Sequence, residues 1–303
     1  MTTPKMHAAE VATDAGIVRR LVAGQFPQWA GLPVVPVPSA GTDNALYRLG
    51  GDLVVRMPRI HWATGQIGLE RRWLPHLAPH LPLAVPTPLA VGEPGEGFAW
   101  QWSVYRWLAG ENATLDRLAD PEAAARDLAR FVLALQAIDP TGGPEPKPEA
   151  LGRGAPLATR DAKTREAIAS LAGMIDTRAA TAAWEAALAA PVWRGAPAWL
   201  HGDLQSGNLL ANRGRLTAVI DFGAMAIGDP ACDLMVAWNL FTARARAAFR
   251  ETIGVDAATW ARGRGWALSP ALIALPYYRE TNPGLAGIAR HAIAEVLSDM
   301  DGG

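Results

Sequence analysis

The chain contains His201-Gly202-Asp203-Leu204-Gln205-Ser206-Gly207-Asn208-Leu209-Leu210, and shortly afterwards Val219-Ile220-Asp221-Phe222-Gly223. In this order, an Asp, an Asn five positions later and a second Asp are the side chains that phosphoryl transfer to a hydroxyl requires. Asp203 can accept the proton of the attacking hydroxyl. Asn208 and Asp221 can share the Mg²⁺ that bridges the phosphates of a nucleotide, because hard oxygen ligands suit this ion and water and phosphate complete its shell. Asp and Asn also form turns in glycine-containing loops, and an isolated HGD or DFG carries little information. All three elements in sequence, with a hairpin between them, are much harder to produce by chance.

The elements that must position these side chains are readable too. The D-x-x-x-x-N spacing predicts a tight loop whose Asp and Asn turn back toward one point. Leu209-Leu210-Ala211 and Leu216-Thr217-Ala218-Val219-Ile220 are short apolar runs on either side of Asn212-Arg213-Gly214-Arg215, a hairpin signal. Such a hairpin returns Asp221 to the side of Asn208.

HGDLQSGNLL…VIDFG, with the following Gly228-Asp229-Pro230-Ala231-Cys232-Asp233-Leu234, resembles the aminoglycoside phosphotransferase family, a branch of the protein-kinase-like superfamily that includes macrolide phosphotransferases. The resemblance runs from about Ser39 to the C-terminus and is sharpest over 201–234. It implies an α+β fold, bilobal and protein-kinase-like, with an antiparallel-sheet N-lobe at 1–108 and a mainly helical C-lobe at 109–303. It also implies that Asp203 is the catalytic base and that Asn208 and Asp221 are the Mg²⁺ ligands. His201 and Asp233 would orient and brace the catalytic loop.

The N-terminal third fits such a lobe. Strands are expected at Leu32–Pro38, Asn44–Leu49 and Leu53–Met57, after a helix at Thr13–Phe26 and before one at Gly65–Leu77. Ser39-Ala40-Gly41-Thr42-Asp43-Asn44 takes the place of a phosphate-covering loop, with Ser39 and Thr42 as phosphate ligands, although it is not GxGxxG. Arg56 stands on the third strand, where a protein kinase has Lys, and Glu70 on the next helix is its expected partner. A guanidinium holds phosphate and carboxylate bidentately, so the exchange is chemically sound. Residues 103–110 resemble the family's hinge, with the backbone of Arg106 and Leu108 as contacts for adenine or guanine. A core strand running into a loop explains that pattern equally well.

The remainder reads as helices: one from Asp120 as N-cap to Ile138, then Thr159–Ile175 and Thr177–Ala190, and after the catalytic block Pro230–Thr242, Ala243–Thr252, Asp256–Ser269, Pro270–Glu280 and Pro283–Leu297. Net charge is −1, which gives no electrostatic case for nucleic acid or an anionic membrane. Cys232, the single cysteine, excludes an internal disulfide and reads as a small buried hydrophobe. The polar N-terminus and the absence of a long apolar run lead us to expect a cytoplasmic protein; as a separate expectation, it is a monomer or weak dimer. The acids of 240–303 are interspersed with arginines, which does not make a polycation site. Trp238, Trp260, Trp266, Tyr277 and Tyr278 are more readily core than acceptor platform. The expectation is a Mg²⁺-dependent transfer of the γ-phosphate of ATP or GTP to a hydroxyl of an antibiotic, aminoglycoside ahead of macrolide. Alternatives are a sugar, amino-alcohol or amino-acid kinase, or a nucleotide-binding pseudokinase.

Overall fold

The computed structural model describes residues 10–38, 41, 43–146 and 152–301. The chain divides into two units, Met1–Pro79 with Ala84–Ala109, and His80–Leu83 with Gly110–Gly303. In the first unit, α1 (Ala15–Gln25) starts where the Asp14 carboxylate accepts from the Ile17 amide at 2.8 Å, and it buries Val18, Leu21 and Val22. Then come β1 (Val34–Val37), β2 (Asn44–Leu49), β3 (Leu53–Pro58), α2 (Gln66–Leu77), β4 (Pro88–Gly92) and β5 (Trp102–Arg106). The strands make one antiparallel sheet in the order β1-β2-β3-β5-β4.

Side chains alternate across a strand. Val55 and Met57 of β3 enter a core with Val18, Leu21, Leu49, Phe98, Trp102 and Val104. Arg56, between them, therefore leaves on the opposite face. The Gln25 side chain fastens α1 to the end of β4 through a reciprocal pair, donating to the Glu93 carbonyl at 2.9 Å and accepting from its amide at 2.7 Å.

The second unit contains β6 (Glu111–Asn112), α3 (Pro121–Gln136), α4 (Asp161–Ser170), α5 (Thr177–Ala189), β7 (Ala198–Leu200), β8 (Leu209–Asn212), β9 (Arg215–Val219), β10 (Ala226–Gly228), α6 (Val236–Asn239), α7 (Ala243–Ile253), α8 (Ala257–Tyr278) and α9 (Pro283–Asp301). Its strands form two small sheets, β6-β8-β9 and β10-β7. The fold is α+β, a five-stranded antiparallel sheet followed by a mainly helical region. α3 begins as its sequence predicts: Asp120 accepts from the Ala123 amide at 2.9 Å, Pro121 occupies the first turn, and Leu128, Phe131, Val132 and Leu135 are buried.

Three helix expectations need correction. The predicted helices 256–269 and 270–280 are one, α8, which continues through Pro270 and Pro276. An internal proline costs about 3 kcal/mol, and packing against α4, α5, α9 and the turn at 230–235 outweighs it. Pro230–Thr242 is instead a 3₁₀ turn, Pro230–Met235, followed by the short α6. The predicted Thr159–Ile175 helix contains a 3₁₀ turn at Leu157–Arg160 and ends as α4 at Ser170. β6, β7 and β10 have no counterpart in the sequence-based expectations.

Trp102 carries much of the first unit's core: it is fully buried, meets Phe26 edge-on at 5.4 Å and donates to the Glu93 carbonyl at 3.1 Å. Trp102→Ala is expected to lower unfolding free energy by about 3–5 kcal/mol in urea titration.

Candidate active site

The 201–233 segment is built on one buried acid. β7 delivers the chain to His201, and the carboxylate of Asp233, on the 3₁₀ turn Pro230–Met235, accepts from the His201 amide at 2.7 Å and the Gly202 amide at 2.8 Å. Burial pushes the Asp233 carboxyl above the usual range, while these two amide donors oppose that rise. Gly202 has φ +82°, and a Cβ there would stand 2.5 Å from the Ala224 carbonyl oxygen, so only glycine fits.

The buried His201 ring fixes the next residue. Its Nδ1 accepts from the Asp203 amide at 3.1 Å and its Nε2 lies 3.0 Å from the Ile220 carbonyl oxygen. One nitrogen accepting and the other donating is the arrangement of a single neutral tautomer.

Asp203 and Asn208 meet as their spacing predicts. Asn208 Nδ2 donates to the Asp203 carbonyl at 2.8 Å and to Asp203 Oδ2 at 2.9 Å. With the amide nitrogen so engaged, Asn208 Oδ1 is turned away from Asp203 as an acceptor. β8 and β9 form the predicted hairpin, closed by Arg213 and Gly214 at φ +50° and +77°, the signature of a two-residue type I′ turn. The Ile220 amide then donates to the Asn208 carbonyl at 2.8 Å, which brings Asp221 alongside Asn208. Asp221 adopts the left-handed conformation (φ +62°), one that Asp tolerates better than most residues. The Asn208 amide oxygen and the Asp221 carboxylate are hard oxygen donors of the kind Mg²⁺ selects.

In the first unit, β3 and α2 bring together Arg56 and Glu70. Arg56 Nη1 donates to both Glu70 oxygens at 2.8 Å, with the two side chains 10% and 0% exposed. Arg56 Nη2 donates to Gln66 Oε1 at 2.6 Å. The Asn44 amide fits with its oxygen toward the guanidinium, accepting from Nη2 at 2.9 Å and Nε at 3.0 Å. The Tyr105 hydroxyl donates to Glu70, and burial, reinforced by the Glu70 charge, pushes its pKa up.

Ser39 and Thr42 lie outside the described residues. The Arg106 backbone N–H donates to the Thr87 carbonyl at 3.0 Å, so it is not a free donor for a base. Leu108 follows in the irregular stretch Trp107–Gly110, beyond the end of β5. Trp238, Trp260 and Trp266 are buried core residues, whereas Tyr277 is exposed. Among the acids near the C-terminus, Glu295 and Asp299 pair with Arg246, and Asp256 caps α8.

One contact is missing from the sequence reading altogether. Arg153 Nη2 lies 3.1 Å from Asp203 Oδ1, with the arginine side chain 7% exposed and that of Asp203 36% exposed. The only signal for it is an arginine between two glycines, a few residues after the Pro- and Gly-rich stretch 140–148.

The family model described as "Phosphotransferase enzyme family" matches residues 34–266. No curated protein sequence matches the chain. The fold is similar to that of solved phosphotransferases. The GDP complex of wild-type aminoglycoside 2'-phosphotransferase-IIIa superimposes with a TM-score of 0.73 at 19% identity, covering 95% of this chain and 100% of that one. The GDP and kanamycin complex of APH(2")-IIia gives 0.72 at 20% identity, covering 93% and 98%. Macrolide 2'-phosphotransferase MphH from Brachybacterium faecium gives 0.61 at 24% identity, covering 92% and 97%.

Removing the Asp233 carboxylate leaves the buried His201 and Gly202 amides without their acceptor. Asp233→Ala is expected to lose about 1–3 kcal/mol for each amide left bare, measured as a lower urea midpoint.

Proposed function

This chain belongs to the phosphotransferase enzyme family, and on that premise we propose that it transfers the γ-phosphate of ATP or GTP to a hydroxyl of a small molecule. The observation that carries the reading is the Asp203–Asn208 contact beside Asp221, in which a base and two oxygen ligands are held by the same loop and hairpin. The acceptor hydroxyl donates its proton to Asp203 as its oxygen bonds to the γ-phosphorus. The bond from that phosphorus to the bridging oxygen breaks, and the nucleoside diphosphate leaves. The transition state is loose and needs little covalent help, so positioning and charge neutralisation supply most of the catalysis. Asn208 and Asp221 would hold Mg²⁺, which when bound neutralises charge on the phosphates.

Arg56 would hold phosphate oxygens by exchanging the Asn44 or Gln66 carbonyl for them, while Glu70 keeps the guanidinium in place. A purine base would meet the backbone of Leu108 and the carbonyl of Arg106. A partly exposed Asp203 held at both oxygens supports an enzyme over a pseudokinase, because nucleotide binding alone requires no such base.

Antibiotics are the proposed acceptors. The similar proteins include complexes with kanamycin, gentamicin and streptomycin as well as macrolide phosphotransferases, and this supports putting aminoglycosides ahead of macrolides. One observation favours a second reading, a metabolite kinase: Glu295 and Asp299 already pair with arginine, which leaves them ill suited to a polycation.

The purified protein should be assayed with ATP and GTP against aminoglycosides, macrolides and hydroxyl-bearing metabolites, with detection of the phosphorylated product. Asp203→Ala is expected to lower turnover about 10²–10⁴-fold, and Asp221→Ala to abolish Mg²⁺-dependent turnover. A parent that phosphorylates nothing, or turnover insensitive to Asp203→Ala, would overturn the reading. Arg56→Ala is expected to raise the nucleotide KM or lower kcat; if neither moves, another residue holds the phosphates.

A further inference from the structure

We propose that Arg153 is a positioning residue for phosphoryl transfer, locking the Asp203 carboxylate in the orientation from which it takes the acceptor's proton. This inference rests on the phosphotransferase reading and adds to it a residue fifty positions upstream of the catalytic loop.

The case begins with the carboxylate. A carboxylate held at one oxygen can still rotate about its Cβ–Cγ bond, whereas one held at both cannot. Asp203 is held at both: Oδ2 accepts from Asn208 at 2.9 Å and Oδ1 from Arg153 at 3.1 Å. Each carboxylate oxygen has a second lone-pair site, so the acceptor hydroxyl still finds an acceptor with a fixed direction.

The segment bearing Arg153 is fitted to this task. Gly154 has φ +84°, and a Cβ there would fall 2.4 Å from Leu200 Cδ1, on the strand that leads into the catalytic loop. The Gly154 carbonyl accepts from the Asp229 amide at 2.9 Å, and the Ala155 amide donates to the Gly152 carbonyl at 2.9 Å. A Cβ on Gly202 would also come within 3.2 Å of Arg153 Cβ. The absence of a side chain between His201 and Asp203 thus serves the arginine as well as the loop.

The guanidinium is buried, and its other contact is a weak one, Nη1 to Met235 Sδ at 3.9 Å. Burying a charge is costly unless it is paired, and here the ion-pair partner is the Asp203 carboxylate. If Arg153 only anchored its segment, its loss would act on stability, and its effect on rate would be independent of Asp203.

The test is a double-mutant cycle of Arg153→Ala and Asp203→Ala. It would read Mg²⁺-dependent phosphate release from ATP and GTP with water as acceptor, and phosphorylation of any acceptor found in the panel. Arg153→Ala is expected to lower kcat about 10²-fold, the scale of a misplaced group, with the nucleotide KM unchanged. In the Asp203→Ala background it should cost nothing further. Arg153→Lys should retain part of the rate, and free guanidinium should restore part of the Arg153→Ala rate. If Arg153→Ala does not fold, Arg153→Met keeps the apolar stem and carries the same cycle. Parental kcat without the guanidinium, or losses that multiply in the double variant, would overturn the inference and leave the phosphotransferase reading intact. An inactive parent would overturn both.

Discussion

The carboxylate of Asp233, fully buried and bonded to two consecutive backbone amides, is the constraint from which the arrangement of residues 201–221 follows. It fixes the peptides around His201 and Gly202, and the His201 ring in turn fixes the Asp203 amide and the Ile220 carbonyl. From Ile220 the chain returns through a hydrogen bond to Asn208, and Asn208 closes the circuit on the Asp203 side chain. Each group is positioned by the one before it. A low-dielectric surrounding strengthens such a chain and makes any gap in it expensive.

Paired charge recurs through both units. Arg56 faces Glu70, Arg153 faces Asp203, Arg262 grips Asp229 at 2.7 and 3.2 Å, and Arg246 meets Glu295. The Asp229 pair explains part of the motif that follows the hairpin: one oxygen caps the turn at Ala231 while Arg262 of α8 holds the carboxylate. Only Lys5, Lys147 and Lys163 are lysines among the 28 basic residues, and these ion pairs use the planar fork of a guanidinium, which suits a carboxylate better than an ammonium does.

Legibility in the sequence followed the range of the interaction. Asp203 and Asn208 share a short loop, and the hairpin returning Asp221 is closed by a local turn, so spacing alone predicts that they meet. Strand alternation likewise separates Arg56 from Val55 and Met57. Arg153 was illegible because its partner is far away in sequence and its neighbours are glycines and prolines that also suit a linker. The continuity of α8 was illegible because packing from several other elements outweighs the local penalty of Pro270. β7 and β10, three residues each, exist by pairing with one another, which no local pattern records. That the Arg106 amide is spent on Thr87 was not legible either, because the two residues are distant in sequence.

Arg56 has a consequence for reactivity as well as recognition. A guanidinium stays protonated at any pH a protein survives and has no free electron pair on nitrogen, so it cannot be acylated as a lysine amine can. Where a protein kinase presents a nucleophilic amine on this strand, this chain presents an inert cation buried against Glu70. A lysine-directed acylating reagent would therefore find no bond to make with Arg56.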